Sequence, residues 1–351
     1  MFGVGLHYSP ADLMKVRKVA VPGAIVQIAA ATVLGWALGR AVLGLGHLEA
    51  GLLGFALATA STVVLLRAIE ERRQLKVEVG RIAVGWLIVE DLVIVVALVM
   101  LPLLIVQPGQ TMDSLQLAQS IGWTLLKVAL FVGAMLVIGP RVLPWLLVRI
   151  AHTRSRELFT LGVLAIALGI AWIAYSLFHS FALGAFLAGL VLNSSPLGHN
   201  AAERSLPLRD AFAVLFFVSV GMLFDPTILV REPLAVLGVL GIVIVGKSVA
   251  ALAITTLFKL DRATSLTVAA SLAQIGEFSF ILVALSVSLG AMSRETQDLV
   301  LAAALLSISM NPFVFALIDR MGGRPKPSTM DPVDAPPLLE EKAAAENPAT
   351  A

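Results

Sequence analysis

Apolar runs of about 20 residues, long enough to cross a bilayer as helices, recur along almost the whole chain. They predict ten spans, at 19–39, 48–68, 82–106, 121–147, 158–178, 180–193, 211–224, 234–258, 263–290 and 296–319. The sixth and seventh are short and fit tilted, buried or partly re-entrant segments. Lys and Arg test this division. Zones around 15–18, 67–81, 141–156, 204–209, 259–262 and 320–326 are rich in them, and the zones between hold only Arg40, Arg231 and Arg294. The alternation places 19 basic residues on one side and 3 on the other. By the positive-inside rule the rich side is cytoplasmic, which puts both ends of a multi-pass chain in the cytoplasm.

Composition agrees with an all-α membrane bundle. The chain has 351 residues, 58% of them hydrophobic and 14% charged, with a mean hydropathy of +0.94. A soluble domain carries about 25% charged residues. There are no cysteines, which excludes disulfides, thiolate metal sites and Cys nucleophiles. The five histidines are scattered, mostly near predicted helix ends, and do not form a ligand set. "MFGVGLHYSPADLMKVRKVA" lacks the basic region and apolar core of a signal peptide. Residues 321–351 are rich in Pro, Ala and Glu and read as a disordered cytoplasmic tail beyond a membrane domain at 1–320. No Gly-rich nucleotide fingerprint follows a strand pattern, so neither a soluble binding domain, a cofactor nor a nucleic-acid partner is expected.

The chemistry lies in the few polar residues deep within spans: Thr59, Ser61 and Thr62; Glu90 and Asp91; Lys127, expected near the outer end of its helix; Ser219; Lys247; and Gln274 with Glu277. Ionisable groups at such depth usually face the bundle interior and mark ion or proton paths. Glu90 and Asp91 are successive, so they point about 100° apart on a helix and occupy different places. Burial and a like-charged neighbour favour the protonated form of a carboxylate, and a nearby Lys favours the ionised form. A group so poised holds a proton or a metal cation but not both, the minimum requirement for exchange. The plainer alternative is an ion pair in which one of the two acids neutralises Lys247. "TAST" (59–62) in the second span reads either as hydroxyls bonding one turn back or as an unwound helix. Gly276, between Gln274 and Glu277, marks a break in the ninth. Discontinuous helices at corresponding places in two halves are a mark of inverted-repeat transporters. Gly35-xxx-Gly39 and Ala185-xxx-Gly189 read as close-packing positions.

Several stretches are long and specific: "MFGVGLHYSPADLM", "ATASTVVLLRAIEER", "GRIAVGWLIVEDLVIV", "SFALGAFLAGLVLNSS", "LPLRDAFAVLFFVSVGMLFDP", "GKSVAA" and "SLAQIGEFSFIL". Through them, residues 1 to about 320 resemble the membrane domain of the second family of monovalent cation:proton antiporters, the group of the Kef potassium efflux systems, and within it the YbaL-like branch. The resemblance implies a sodium/proton-exchanger-like bundle of about 13 spans with inverted repeats, two interrupted crossing helices and a homodimer in the full-length family. It places the ion-binding acid, and with it the monovalent cation, on Asp91, and the preceding variable polar position on Glu90. The hydroxyl motif falls on Ser61 and Thr62, the Gln-x-Gly-Glu-Phe motif on Gln274 to Phe278 (including Glu277), and the mid-helix Lys on Lys247. It also implies that the chain begins inside the family's third helix and stops before a cytoplasmic nucleotide-binding domain.

The expected activity is monovalent cation/proton antiport by alternating access across a bacterial inner membrane, K+ before Na+, with cation and proton competing for Asp91. Glu90 is either a second proton carrier or the partner of Lys247. A gated potassium efflux channel and an inactive truncated fragment are the alternatives. An enzyme is not expected: an intramembrane aspartyl protease needs two acids on different helices, and Asp91 is the only Asp deep in any span, with Glu90 its neighbour.

Overall fold

The computed structural model describes residues 2–7, 10–75, 77–105, 114–178, 181–193, 195 and 198–322. The predicted tail therefore lies almost entirely outside the described residues. Among the described residues the chain is helical, without strands. In order the helices are α1 (Phe2–His7), α2 (Pro10–Ala41), α3 (His47–Ala58), α4 (Thr62–Glu71), α5 (Glu78–Leu104), α6 (Ser114–Val137), α7 (Gly139–Ala151), α8 (Arg156–Phe178), α9 (Phe181–Asn193), α10 (Gly198–Leu223), α11 (Ile228–Arg231), α12 (Pro233–Gly241), α13 (Lys247–Leu257), α14 (Arg262–Leu272), α15 (Glu277–Ser288) and α16 (Arg294–Arg320). A wider, π-helical turn over Ile242–Gly246 joins α12 to α13.

Among the described residues, eight helical stretches are long and apolar enough to cross a membrane, two of them made of paired half-helices: α3 with α4, and α14 with α15. The sixth and seventh predicted spans survive only as shorter apolar helices, Leu183–Asn193 and Val214–Leu223. The fourth is a bent pair. α6 ends at Val137, Ile138 turns, and α7 starts with Pro140 in its first turn. Proline lacks the N–H that would continue the preceding helix but is tolerated at a helix start. Lys127 is correspondingly not near a helix end. It lies about midway along α6, exposed, with its ammonium 5.7 Å from the centre of the Trp123 ring.

Two polar clusters agree with the alternation of sides. Arg72 pairs with Asp319 through two bonds of 2.8 Å and lies over the Phe315 ring. Glu49 Oε1 accepts from Ser293 N, Ser293 Oγ and Thr296 Oγ1 at 2.7–2.8 Å. The third to tenth predicted spans separate the first pair and the second to ninth the other, an even number each time, so each cluster closes on one side.

The interrupted stretches are the innermost. The apolar window of α14–α15 is 78% buried and that of α3–α4 is 67% buried, against 0% for α6. α2 reaches α3 closely because Gly35 lies on Gly54 and Gly39 on Ala50, where a side chain would collide. Gly189 of α9 admits the backbone of α1 in the same way. α5 runs between two apolar clusters. One gathers Leu53, Ile94, Phe278 and Val300. The other gathers Leu65, Trp86, Ala251 and Val268. Glu90 and Asp91 lie where these clusters meet.

Candidate functional site

Both interruptions follow from local sequence. After α3, Thr59 and Ser61 are extended (ψ 150° and 121°), and the Ser61 hydroxyl caps α4 by accepting from Val64 N at 3.3 Å. Ser is a strong capping residue because its oxygen replaces a missing helical acceptor. After α14, the chain leaves the helix at Ala273 and re-enters it from an extended Gly276. The glycine is required by proximity: a Cβ there would strike the Ala60 carbonyl of the other interruption. The two backbones are joined directly, Gly276 N donating to Thr59 O at 3.0 Å.

Breaking a helix in the bilayer exposes backbone groups that cost several kcal/mol each when left unpaired. Here side chains supply partners. The freed carbonyls of α3 take Ser279 Oγ at Ala56 (2.5 Å) and Gln27 Nε2 at Ala58 (3.3 Å). Gln274 Nε2 donates to Ser61 O at 3.1 Å. Asn311 Nδ2 donates to Ala270 O at 3.0 Å, and Ile275 N donates to Ser307 Oγ at 3.3 Å. Lys247 closes the centre, its ammonium donating to Thr59 O at 3.0 Å and to Gln274 O at 2.9 Å. The π-helical turn ends immediately before Lys247; such turns are frequent at functional sites. The cation thus sits at the C-terminal, electronegative ends of α3 and α14. Glu277 opens α15 at its electropositive end, and Glu90 meets an N–H just before α4.

The adjacent acids meet different surroundings. Both oxygens of Glu90 accept hydrogen bonds, Oε1 from Gln27 Nε2 at 2.7 Å and Oε2 from Ala60 N at 2.9 Å. Asp91 Oδ2 accepts from Thr62 Oγ1 at 2.9 Å, while Oδ1 is buried without a partner. Gln274 Oε1 and Glu277 Oε2 are likewise buried and unpartnered. Glu277 and Glu90 are the carboxylates that bear on Asp91 electrostatically. Neither acid forms an ion pair with Lys247 among the described residues. Lys247 is within electrostatic reach of Glu90, and its hydrogen bonds go to the two carbonyls.

The structure therefore gathers Ser61, Thr62, Glu90, Asp91, Lys247, Gln274 and Glu277 around one crossing. Ser61 enters through its cap and its carbonyl, not as a second hydroxyl on Asp91. Ser219 stands apart, exposed and bonded to Leu215 O at 2.9 Å. Sequence reading missed Gln27, Ser279, Ser307 and Asn311. Gln27 had a signal, since it is a polar interruption of "AVPGAIVQIAAATV".

Comparison with known proteins agrees with this architecture. The family model "Sodium/hydrogen exchanger, transmembrane" matches residues 1–318. The chain is 56% identical over 323 residues to "Putative cation/proton antiporter YbaL" of Escherichia coli (strain K12), covering 91% of this chain and 58% of that protein. It is 33% identical over 321 residues to "K(+) efflux antiporter 4" of Arabidopsis thaliana, covering 91% of this chain and 53% of the relative. The chain thus spans just over half the length of these relatives.

Proposed function

Because the chain belongs to the sodium/hydrogen exchanger transmembrane family, we propose that it exchanges a monovalent cation for protons across a bacterial inner membrane, with cation and proton competing for Asp91. The observation that carries this reading is the buried, unpartnered Oδ1 of Asp91 at the crossing of two interrupted helices. A carboxylate oxygen left without a donor in a dry site is poorly solvated by the protein and gains most from a proton or a cation. The free oxygens of Gln274 and Glu277 and the Thr62 hydroxyl supply further hard oxygen ligands. Potassium is the preferred cation in this reading, in line with the potassium efflux named for the plant relative. The Lys/Arg-rich side is cytoplasmic, the protein works as a homodimer, and the crossing opens to each side in turn.

Everted vesicles carrying an imposed pH gradient test the reading. Adding K+ or Na+ collapses the gradient with the unaltered chain and not with Asp91→Asn. Running the same pair on versions extended at either end separates a fault of the site from a need for the remaining length of the relatives. Collapse that survives Asp91→Asn defeats exchange at this acid and favours a gated potassium efflux channel.

A further inference from the structure

We infer that Gln27 is a positioning residue for the exchange site: its amide grips Glu90 on one side and the last carbonyl of α3 on the other, and so sets where the interruption presents Thr62 to Asp91. The inference rests on the reading of Asp91 as the exchanging acid. Gln27 is fully buried on α2. Its Nε2 reaches Glu90 Oε1 at 2.7 Å and Ala58 O at 3.3 Å. A carbonyl can only accept, so the bond to Ala58 fixes the amide's orientation. The other Glu90 oxygen holds Ala60 N at 2.9 Å. Gln27, Glu90, Ala60, Thr59 and Ala58 thereby form a closed ring of bonds around the first interruption.

A second ring shares one side with the first. Glu90 and Asp91 are consecutive on α5, and Ala60 and Thr62 are two apart at the interruption between α3 and α4. The Thr62–Asp91 bond of 2.9 Å completes it. Any movement of Glu90 relative to Ala60 is passed to Thr62 and Asp91 through short stretches of backbone. The register between α2 and α5 is set one turn away, where Gly23 makes room for the fully buried Trp86 ring. Gly23 and Gln27 are four apart on α2, and Trp86 and Glu90 are four apart on α5, so two i, i+4 pairs interlock. Residue type matters at 27. Asn is one methylene short, Leu leaves two buried acceptors without a donor, and Glu sets two carboxylates face to face.

The test uses the membrane-reconstituted chain with Gln27→Leu, Gln27→Glu, and the exchange Gln27→Glu with Glu90→Gln. In the exchange, the amide now at 90 can donate to the acid at 27 and still accept from Ala60. Two readouts are taken. Amide hydrogen exchange over 58–62 reads the clamp without any transport, and the K+ dependence of proton flux reads positioning. Gln27→Leu speeds amide exchange at 58–62 about tenfold and raises the apparent KM for K+ about tenfold, with the maximal rate within about twofold. Gln27→Glu is worse on both, and the double exchange returns both toward the unaltered values. Lower thermal stability with KM and amide exchange unchanged reduces Gln27 to a packing residue and overturns the proposal. If Gln27→Leu does not accumulate, Gln27→Asn carries the same expectation. Where the unaltered chain is silent, the same variants are read for flux in the extended versions, and the amide-exchange comparison still decides the clamp.

Discussion

Two carboxylates one residue apart on α5 meet opposite treatment. Both Glu90 oxygens are engaged, one by a side-chain amide and one by a backbone N–H. At the Asp91 corner one oxygen has a single hydroxyl and the other has nothing. Both are buried, so solvent does not explain the contrast. A charge in a dry site is tolerable when donors replace its hydration. The protein supplies those donors for Glu90 and withholds them from Asp91. Glu90 is thus tied to the broken α3–α4 backbone, and Asp91 keeps an oxygen without a partner, as the proposed exchange at this acid requires. Helix periodicity makes the contrast possible, since a step of one residue turns a side chain by about 100° into different company.

The strongest test of this contrast exchanges acid for amide at each position. Asp91→Asn removes cation-dependent proton flux altogether while leaving stability near that of the unaltered protein. Glu90→Gln does the reverse: flux persists, and stability falls by about 1–3 kcal/mol because the new NH2 must face a donor already present. Thermal unfolding in detergent beside vesicle assays reads both. Equal loss of transport in the two variants would erase the distinction.

Next in size is Lys247→Met. Removing the ammonium leaves the carbonyls of Thr59 and Gln274 without that donor in a buried site, at a cost of about 1–3 kcal/mol each, with Thr59 eased by its bond from Gly276 N. If Lys247 acted chiefly as the counter-ion of Glu90, Glu90→Gln would rescue Lys247→Met; with a backbone role the double variant is no more stable than Lys247→Met alone. Smaller still is Thr62→Val, which takes away the hydroxyl that donates to Asp91 and raises the apparent KM for K+ about fivefold, as loss of about 1 kcal/mol requires. Ser61→Ala, which removes only a helix cap, leaves KM unchanged.

Much of this site is legible in the sequence, and the parts that are not share a cause. Charges at bilayer depth stand out because they are expensive, which is why Glu90, Asp91 and Lys247 can be picked out by depth alone. Gly276 between two polar residues marks a break because neither neighbour suits an apolar helix. Gln27 carries only a weaker mark, an uncharged polar interruption of an apolar run, and Ser279, Ser307 and Asn311 carry none. A single amide or hydroxyl in an apolar helix can bond its own backbone or another helix, and only packing decides which. The π-helical turn before Lys247 is equally silent, since "IVIVG" has no preference for it. The bend at Ile138 was open to reading from Pro140, yet the apolar run across it reads as one continuous span. The two short spans come from short apolar runs that the alternation of charge supports, and that alternation counts crossings but does not measure helix length.

The smallest expected effect concerns an acid with solvent at hand. Asp261 lies before α14, mostly exposed, and its Oδ2 accepts from Thr264 N at 2.9 Å to cap the half-helix that carries the second interruption. Slight burial works against its charge, but bonds from Thr264 and Ala263 outweigh it and hold its pKa below the ordinary Asp value. A carboxyl lowered by folding stabilises the fold above its unfolded pKa of about 4, and this contribution is lost as pH falls through the native value. Asp261→Ala therefore lowers stability by about 1 kcal/mol at neutral pH, and the gap to the unaltered protein narrows on acidification below about pH 4. Asp261→Asn, which keeps a capping oxygen without a titrating proton, retains most of the stability and loses the acid dependence. Thermal unfolding of the three proteins across that range measures it. A gap that stays constant with pH would mean that the cap works through its geometry alone, and that a paired carboxylate in this protein gains nothing from its charge even at the surface.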